Sequence, residues 1–245
     1  MQKIYGRKPV LEAINSGAEI EVIYVAYGQH GDAINKIFTA AKKRGIKITQ
    51  LSSQKFEHLA GDFNAQGVVA FKSSVKFYEL DELIDESKKS KLPLLLLLDS
   101  IQDPHNLGAI LRTAECGGVD GVVITTNQST PITETVEKIS AGAVSHLKIC
   151  RVNNLVRSIE EIKKEGFWVV GTSLENSKNY TELDFKMSTA LVMGNEEKGI
   201  RKLVADNCDF LVKIPMAGKI DSLNVSVATG VLLFEINRQR NFSSQ

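Results

Sequence analysis

Three polar stretches stand directly behind runs of apolar residues, the position from which an α/β protein presents reactive groups. Asp99-Ser100-Ile101-Gln102-Asp103-Pro104-His105-Asn106 follows five leucines at 94–98, and Gly194-Asn195-Glu196-Glu197-Lys198-Gly199 follows the run at 190–193. The third, Pro215-Met216-Ala217-Gly218-Lys219-Ile220-Asp221-Ser222-Leu223-Asn224, follows 210–214. In open parallel sheets, ligands bind outside the carboxyl ends of the strands, so these loops are the first candidates for a site. Behind the first loop, Arg112 shares a helix face with Gly108, Ala109 and Thr113, opposite Leu107, Ile110, Leu111 and Ala114. Small residues around one long cation would let a ligand or a second chain come close to a fixed charge. Each group also has a plainer role open to it. Arg112 suits a solvent-facing position, Asn106 a helix N-cap, Glu196 and Glu197 the positive end of a helix dipole, and Ser222 a cap on the last helix.

Several chemistries lack their residues. The three cysteines (Cys116, Cys150 and Cys208) form no CxxC pair and no metal-ligand spacing with the four histidines, so no metal is expected. The histidines show no nucleophile–base arrangement in the sequence. GxGxxG, GxxxxGK[ST] and GxSxG are all absent, which argues against dehydrogenases, P-loop enzymes and α/β-hydrolases.

The elements that would position the loops are regular in the second part of the chain. Strands are predicted over 94–98, 121–124, 147–152, 167–171, 190–193 and 210–214, and helices over 107–116, 133–140, 155–165, 199–205 and 223–238. Strands alternating with helices, several of them continuous apolar runs, predict a parallel sheet covered on both faces. The last helix is apolar nearly all round (Leu223, Val225, Val227, Ala228, Val231, Leu232, Phe234, Ile236), so it is expected to be buried or at a subunit contact. Residues 1–72 read as a smaller α/β unit, with helices over 8–15 and 33–44 and strands over 21–26, 46–51 and 68–71. Residues 73–91 are polar, with weak helical spacing at Leu80, Leu83 and Ile84, and read as a linker merging into a short surface helix. The expected division is therefore 1–72, a linker at 73–91, and 92–245.

Composition is that of an ordinary soluble protein, 43% hydrophobic and 24% charged. The apolar runs fall far short of the roughly 20 residues a membrane span needs, and the opening MQKIYGRKPV has no signal-peptide stretch, so a reduced cytoplasmic setting is expected. Net charge is only +1, but it is unevenly spread: residues 1–72 hold ten Lys/Arg against six Asp/Glu, with a cluster at Lys42, Lys43, Arg44 and Lys47. That excess fits phosphate contacts, and equally a solvated helix face.

Taken together the loops form a pattern. The segments 103–114 (DPHNLGAILRTA), 193–199 (MGNEEKG) and 214–228 (IPM…SLNVSVA) resemble, in order, the three signature motifs of the SpoU/TrmH RNA 2′-O-ribose methyltransferases of the SPOUT superfamily. Tyr5-Gly6-Arg7-Lys8-Pro9-Val10-Leu11-Glu12-Ala13 and Gln66-Gly67-Val68-Val69-Ala70 resemble that family's N-terminal RNA-binding domain. The resemblance covers nearly the whole chain apart from the linker. The two-domain layout is most similar to the enzymes that methylate a guanosine ribose in large-subunit (23S) ribosomal RNA.

The resemblance implies a C-terminal parallel-sheet domain with a deep trefoil knot, a small L30e-like N-terminal domain, and a homodimer with the active site near the subunit contact. It implies S-adenosylmethionine held by backbone groups at Gly194, Ile214 and Leu223, with Thr172, Asn195 and Met216 nearby. The family's polar residues map onto Asn106, Arg112, Glu196, Ser222 and Asn224. The partner is RNA, ribosomal in the first instance; transfer RNA, or a non-catalytic role in ribosome assembly, are the alternatives.

Overall fold

The computed structural model describes residues 3–61, 63–72, 75–195, 198–220 and 222–241. The chain folds as two units, one made of Met1–Lys76 with Pro131–Glu134, the other of Phe77–Thr130 with Thr135–Gln245.

The first unit is a four-stranded sheet with helices on it. Its elements are β1 (Lys3–Tyr5), α1 (Arg7–Asn15), β2 (Ile20–Ala26), α2 (Asp32–Lys43), β3 (Lys47–Leu51), α3 (Ser53–Ala60) and β4 (Val68–Lys72), in sheet order β1-β4-β2-β3. Val10, Ile14, Ile34, Ile37 and Ala41 from the helices close over Ile23, Val25, Val68 and Ala70 of the sheet. Alternation along β2 and β4 sends Val69 to the opposite face, where it packs with Ala26, Phe56, Ala60 and Ala65. The basic cluster is partly consumed by this fold. Arg44 donates to the carbonyls of Ile14 (2.7 Å), Ala18 (3.2 Å) and Gly17 (3.3 Å), closing the end of α1. Lys47 is half-buried, and burial pulls its ammonium below the ordinary lysine value against the opposing effect of Glu21. Lys42 and Lys43 remain exposed.

The second unit carries β5 (Phe77–Tyr78), α4 (Leu80–Ser87), β6 (Leu94–Leu98), α5 (Pro104–Cys116), β7 (Gly121–Thr125), α6 (Glu134–Ile139), β8 (Ile149–Val152), α7 (Leu155–Lys164), β9 (Trp168–Thr172), β10 (Lys178–Asn179), β11 (Thr189–Met193), α8 (Lys202–Ala205), β12 (Phe210–Lys213) and α9 (Val225–Asn241). Its strands form an eight-stranded sheet in the order β10-β12-β9-β11-β6-β7-β8-β5, and every pairing is parallel. All five leucines of β6 are buried, as a central parallel strand covered on both sides requires. Leu95, Leu97, Val123, Val169 and Val192 pack with Leu83, Leu155, Ile159, Ile162 and Val204 on one side. Elsewhere in the unit α5 packs against α9, with Leu107, Ile110, Leu111, Leu232, Leu233 and Ile236 buried. Among the described residues no helix is long and apolar enough to cross a membrane.

Residues 77–91 lie inside this unit rather than between the two. β5 extends the sheet beside β8, and Leu83 and Ile84 of α4 are core residues. A Cβ at Gly121 would come within 2.8 Å of Leu83, so α4 sits directly on β7. The weak spacing at Leu80, Leu83 and Ile84 showed a helix but not that its apolar side is buried: Leu83, Ile84 and Ser87 are all buried. Helix α8 is also shorter than the helix expected over 199–205, because Arg201 is its N-cap in an extended conformation.

Candidate functional site

The site gathers at the carboxyl ends of β6, β9, β11 and β12. The register pairs Leu98 with Met193, so the loops after β6 and β11 leave the sheet side by side. Ser100 turns the first loop away from β6 at a φ of 65°, a left-handed conformation uncommon for a residue with a side chain. The loop is then fixed from beneath: the Ser100 amide donates to Thr125 Oγ1 at 3.2 Å, and Thr125 and Ser129 share a hydroxyl hydrogen bond of 2.6 Å.

The second loop turns back on itself. Asn195 and Gly199 exchange backbone hydrogen bonds of 3.0 and 2.9 Å, and Asn195 Nδ2 donates to the Ser100 carbonyl at 3.2 Å. A Cβ at Gly194 would lie 2.1 Å from the Gly199 carbonyl carbon and 2.2 Å from the Ile200 nitrogen. No side chain fits there, so the wall at Gly194 is backbone.

Beside these loops opens a cavity of about 410 Å³. Thr172, Gly194, Asn195, Ile214, Met216 and Leu223 all line it, together with Ser222. Met193, Gly199, Ile200, Val212, Val225, Ala228 and Leu232 add a largely apolar wall, and Ser173, Leu174, Glu175 and Lys213, which the sequence did not single out, also line the cavity. Thr172 Oγ1 is anchored on the Val192 carbonyl at 3.3 Å.

Asn106 and Asn224, 118 positions apart, meet outside this lining: Asn224 Nδ2 donates to Asn106 Oδ1 at 2.9 Å. Asn224 also accepts from the Ser226 amide (2.9 Å) and hydroxyl (2.5 Å) at the start of α9. Asn106 is not the cap of α5. Asp103 holds that role, accepting from the His105 amide at 2.9 Å, with Pro104 in the first turn. Arg112 is exposed on α5 and makes no hydrogen bond or ion pair among the described residues. Glu196 lies outside the described residues.

The small-residue face of α5 needs one correction. Gly108 is buried, and a Cβ there would meet Ile139 at 2.7 Å and the Val136 carbonyl at 3.1 Å. Thr113 faces Gly230 of α9. Gly108 is therefore small to admit a neighbour within this chain and Thr113 packs toward α9, which leaves Arg112 as the outward-reaching group.

A parallel α/β sheet with a cavity and polar loops at its carboxyl edge defines a nucleotide- or cofactor-binding protein of the open-sheet class. Comparison with known proteins gives the family. Residues 93–234 match the SpoU rRNA Methylase family, and residues 3–78 match the family described as RNA 2′-O ribose methyltransferase substrate binding. A protein of Staphylococcus aureus (strain MSSA476) assigned to the TrmH family of tRNA/rRNA methyltransferases is 42% identical over 239 residues, covering 97% of this chain and 96% of its own. Its Bacillus subtilis (strain 168) counterpart YacO is 40% identical, with the same coverage. Among solved structures, the AdoMet-bound rRNA methyltransferase from Sinorhizobium meliloti superposes with a TM-score of 0.61 at 28% identity, over 96% of this chain and 86% of that one. The TrmH/SpoU tRNA modifying enzyme of A. aeolicus gives 0.58 at 35% identity, over 66% and 83%. The chain belongs to the SpoU/TrmH family of RNA methyltransferases.

Proposed function

We propose that this protein transfers a methyl group from S-adenosylmethionine to a ribose 2′-hydroxyl of structured RNA, a guanosine of large-subunit ribosomal RNA. The observation that carries this is the convergence of Thr172, Gly194, Asn195, Ile214, Met216 and Leu223, from separate chain segments, on one cavity. The residues fit the cofactor. The cavity lies in the roughly 300–1,000 Å³ range of small-molecule sites, its walls are mostly apolar, and the backbone is bare at Gly194. Gly194, Ile214 and Leu223 would hold the adenine and ribose, with Thr172, Asn195 and Met216 beside them. When bound, S-adenosylmethionine supplies an electrophilic methyl group on its sulfonium.

The chain's own task is to present the ribose oxygen and stabilise charge that develops on it. Arg112 holds a phosphate beside the target and stabilises the incipient alkoxide. A guanidinium holds its proton tightly and is a poor base, so the 2′-hydroxyl proton passes to solvent water as the oxygen takes the methyl group. Asn106, Asn224 and Ser222 align the ribose, and Glu196 orients the loop or Arg112. Positioning of this kind contributes roughly 7–11 kcal/mol in the best cases.

The same reading includes a deep trefoil knot in the second unit, an L30e-like RNA-binding fold for the first, a cytoplasmic setting, and a homodimer through α9. Val227 and Phe234 of α9 are more than half exposed in the single chain, which supports a covering partner. Ribosomal RNA is favoured because the Sinorhizobium meliloti rRNA methyltransferase aligns with 96% of this chain. Transfer RNA is the second reading, supported by the tRNA/rRNA designation of the relatives and by the A. aeolicus enzyme.

The test is incubation with methyl-labelled S-adenosylmethionine and unmodified large-subunit ribosomal and transfer RNA transcripts. Label in the ribosomal transcript as a 2′-O-methylguanosine is the expected outcome. Label in transfer RNA would move the substrate and keep the chemistry. Cofactor binding without label in either would point to ribosomal particles. Absence of cofactor binding would leave only a binding role in ribosome assembly.

A further inference from the structure

The strongest group outside that machinery is a charge pair that neither the family motifs nor the cavity lining includes. Asp99 follows β6 directly and is fully buried. Its amide donates to the Met193 carbonyl at 2.8 Å, so the strand pairing of β6 and β11 runs one residue past their ends. Its carboxylate faces Arg201 at several points. Oδ2 accepts the Arg201 backbone amide at 2.9 Å, while Oδ1 accepts Nε at 2.8 Å and lies 2.7 Å from Nη2. Ser100 Oγ adds a longer contact of 3.3 Å.

The consequence falls on the loop between β11 and α8. Asn195, near its start, is tied to the Ser100 carbonyl; Arg201, at its end, is tied to Asp99. Two consecutive residues of the β6 loop thus clamp both ends of the segment that supplies Gly194, Asn195, Gly199 and Ile200 to the cavity. Only the carboxylate is buried; the guanidinium is half-exposed, so solvent screens the pair and its contribution to stability is modest. What a planar, two-pronged pair supplies is a fixed distance and direction.

We propose that Asp99 and Arg201 are positioning residues that hold Gly194, Asn195, Gly199 and Ile200 in the arrangement that binds the cofactor, so that the pair sets cofactor affinity. The proposal rests on the S-adenosylmethionine reading of the cavity. The experiment is calorimetric titration of S-adenosylmethionine into the full-length wild type, Arg201→Ala, Arg201→Lys and Asp99→Asn. Each variant is also assayed for ligand-free melting temperature, for RNA affinity, and for KM and kcat.

Arg201→Ala and Asp99→Asn should weaken S-adenosylmethionine binding on the order of tenfold or more, raising its KM more than they lower kcat, with RNA affinity unchanged within about twofold; a tenfold change corresponds to about 1.4 kcal/mol. Arg201→Lys, which can reach Oδ1 at one point only, should fall between. Cofactor affinity within about twofold of wild type, alongside a lowered melting temperature, would reduce the pair to a structural staple and overturn the proposal. So would lost RNA affinity with cofactor binding intact, since the half-exposed guanidinium would then serve the RNA. If Arg201→Ala does not fold, the near-isosteric Asp99→Asn and the Lys variant decide by the same comparison. Failure of the wild type to bind S-adenosylmethionine is a distinct result, which removes the cofactor reading itself and this proposal with it.

Discussion

At the scale of single residues, the site separates groups committed to the fold from groups left for a ligand. Arg112 is the clearest of the latter, being exposed on α5 without a partner among the described residues. Arg112→Ala should therefore lower kcat by about 10²–10³-fold, the size of effect seen when one transition-state donor is removed, while the melting temperature stays unchanged. Arg112→Lys should recover only part, because an ammonium lacks the planar fork; full recovery would mean that charge alone suffices. The cysteines give the opposite case. Burial pushes the Cys150 and Cys208 thiols up to about 12, so both stay protonated at pH 8, and thiol reactivity follows the thiolate. Cys116 is exposed. Native protein at pH 8 should react with iodoacetamide at Cys116 alone, and all three should react after unfolding, as peptide mass mapping would show. The loops holding Gly194, Asn195, Met216 and Leu223 were legible from their place behind apolar runs, but Thr172 and Ile214 only through resemblance to a family, because their convergence is a long-range event with no local signal. Asp99 was visible as a charge behind five leucines, yet its partner lies 102 positions away, and nothing in the spacing named Arg201.

At the scale of elements, periodicity conveyed the alternating strands and helices of the second unit and missed what holds their ends. α9 was legible as an apolar helix, but its closing turn acts through polar side chains that no hydrophobic pattern records. Arg240 donates to the carbonyls of Leu92 (2.7 Å), Phe185 (3.0 Å) and Met187 (2.6 Å), and to Thr189 Oγ1 (3.0 Å). Gln239 adds bonds to the Phe185 amide and the Leu183 carbonyl. Burial pulls the Arg240 guanidinium below the ordinary arginine value, with Asp120 opposing. Together these bonds fasten α9 to the segments entering β6 and β11, the two strands whose loops build the site. A buried acceptor left without its donor costs about 1–3 kcal/mol; Arg240 is only partly buried and water can reach some of its acceptors, so Arg240→Ala should cost about 3 kcal/mol in urea unfolding rather than the full sum. Arg240→Lys should not restore it, because one ammonium cannot serve acceptors arranged around a fork. A loss below about 1 kcal/mol would show that water replaces the side chain. The segment 73–91 teaches the same lesson in reverse: its charges dominate the composition, while Leu83 and Ile84, with Tyr78 and Leu80 packed beside them, tie it to the core.

At the scale of the whole molecule, the question is whether one chain makes a complete site. The cavity and Arg112 are separate features, since Arg112 is not among the residues that line it. α9, which borders the cavity through Val225, Ala228 and Leu232, also leaves Val227 and Phe234 exposed. A two-fold pairing through that face would place the same patch of each chain against the other and could deliver Arg112 to the partner's cavity. Mixed dimers decide this. Arg112→Ala leaves the cavity intact and removes the cation; Gly194→Ala keeps the cation and forces backbone apart where a Cβ would sit 2.1 Å from Gly199. Each variant alone should be inactive. Unfolded together and refolded, they should regain roughly a quarter of wild-type methyl transfer, since half of the dimers are mixed at random and each holds one complete site. Were Arg112 to serve its own chain's cavity, every site in the mixture would still carry a defect and no activity would return. Phe234→Glu bears on the same point from the other side. It should yield monomers by light scattering that fold normally and, if the arginine comes from the partner, transfer no methyl groups even with the cavity untouched.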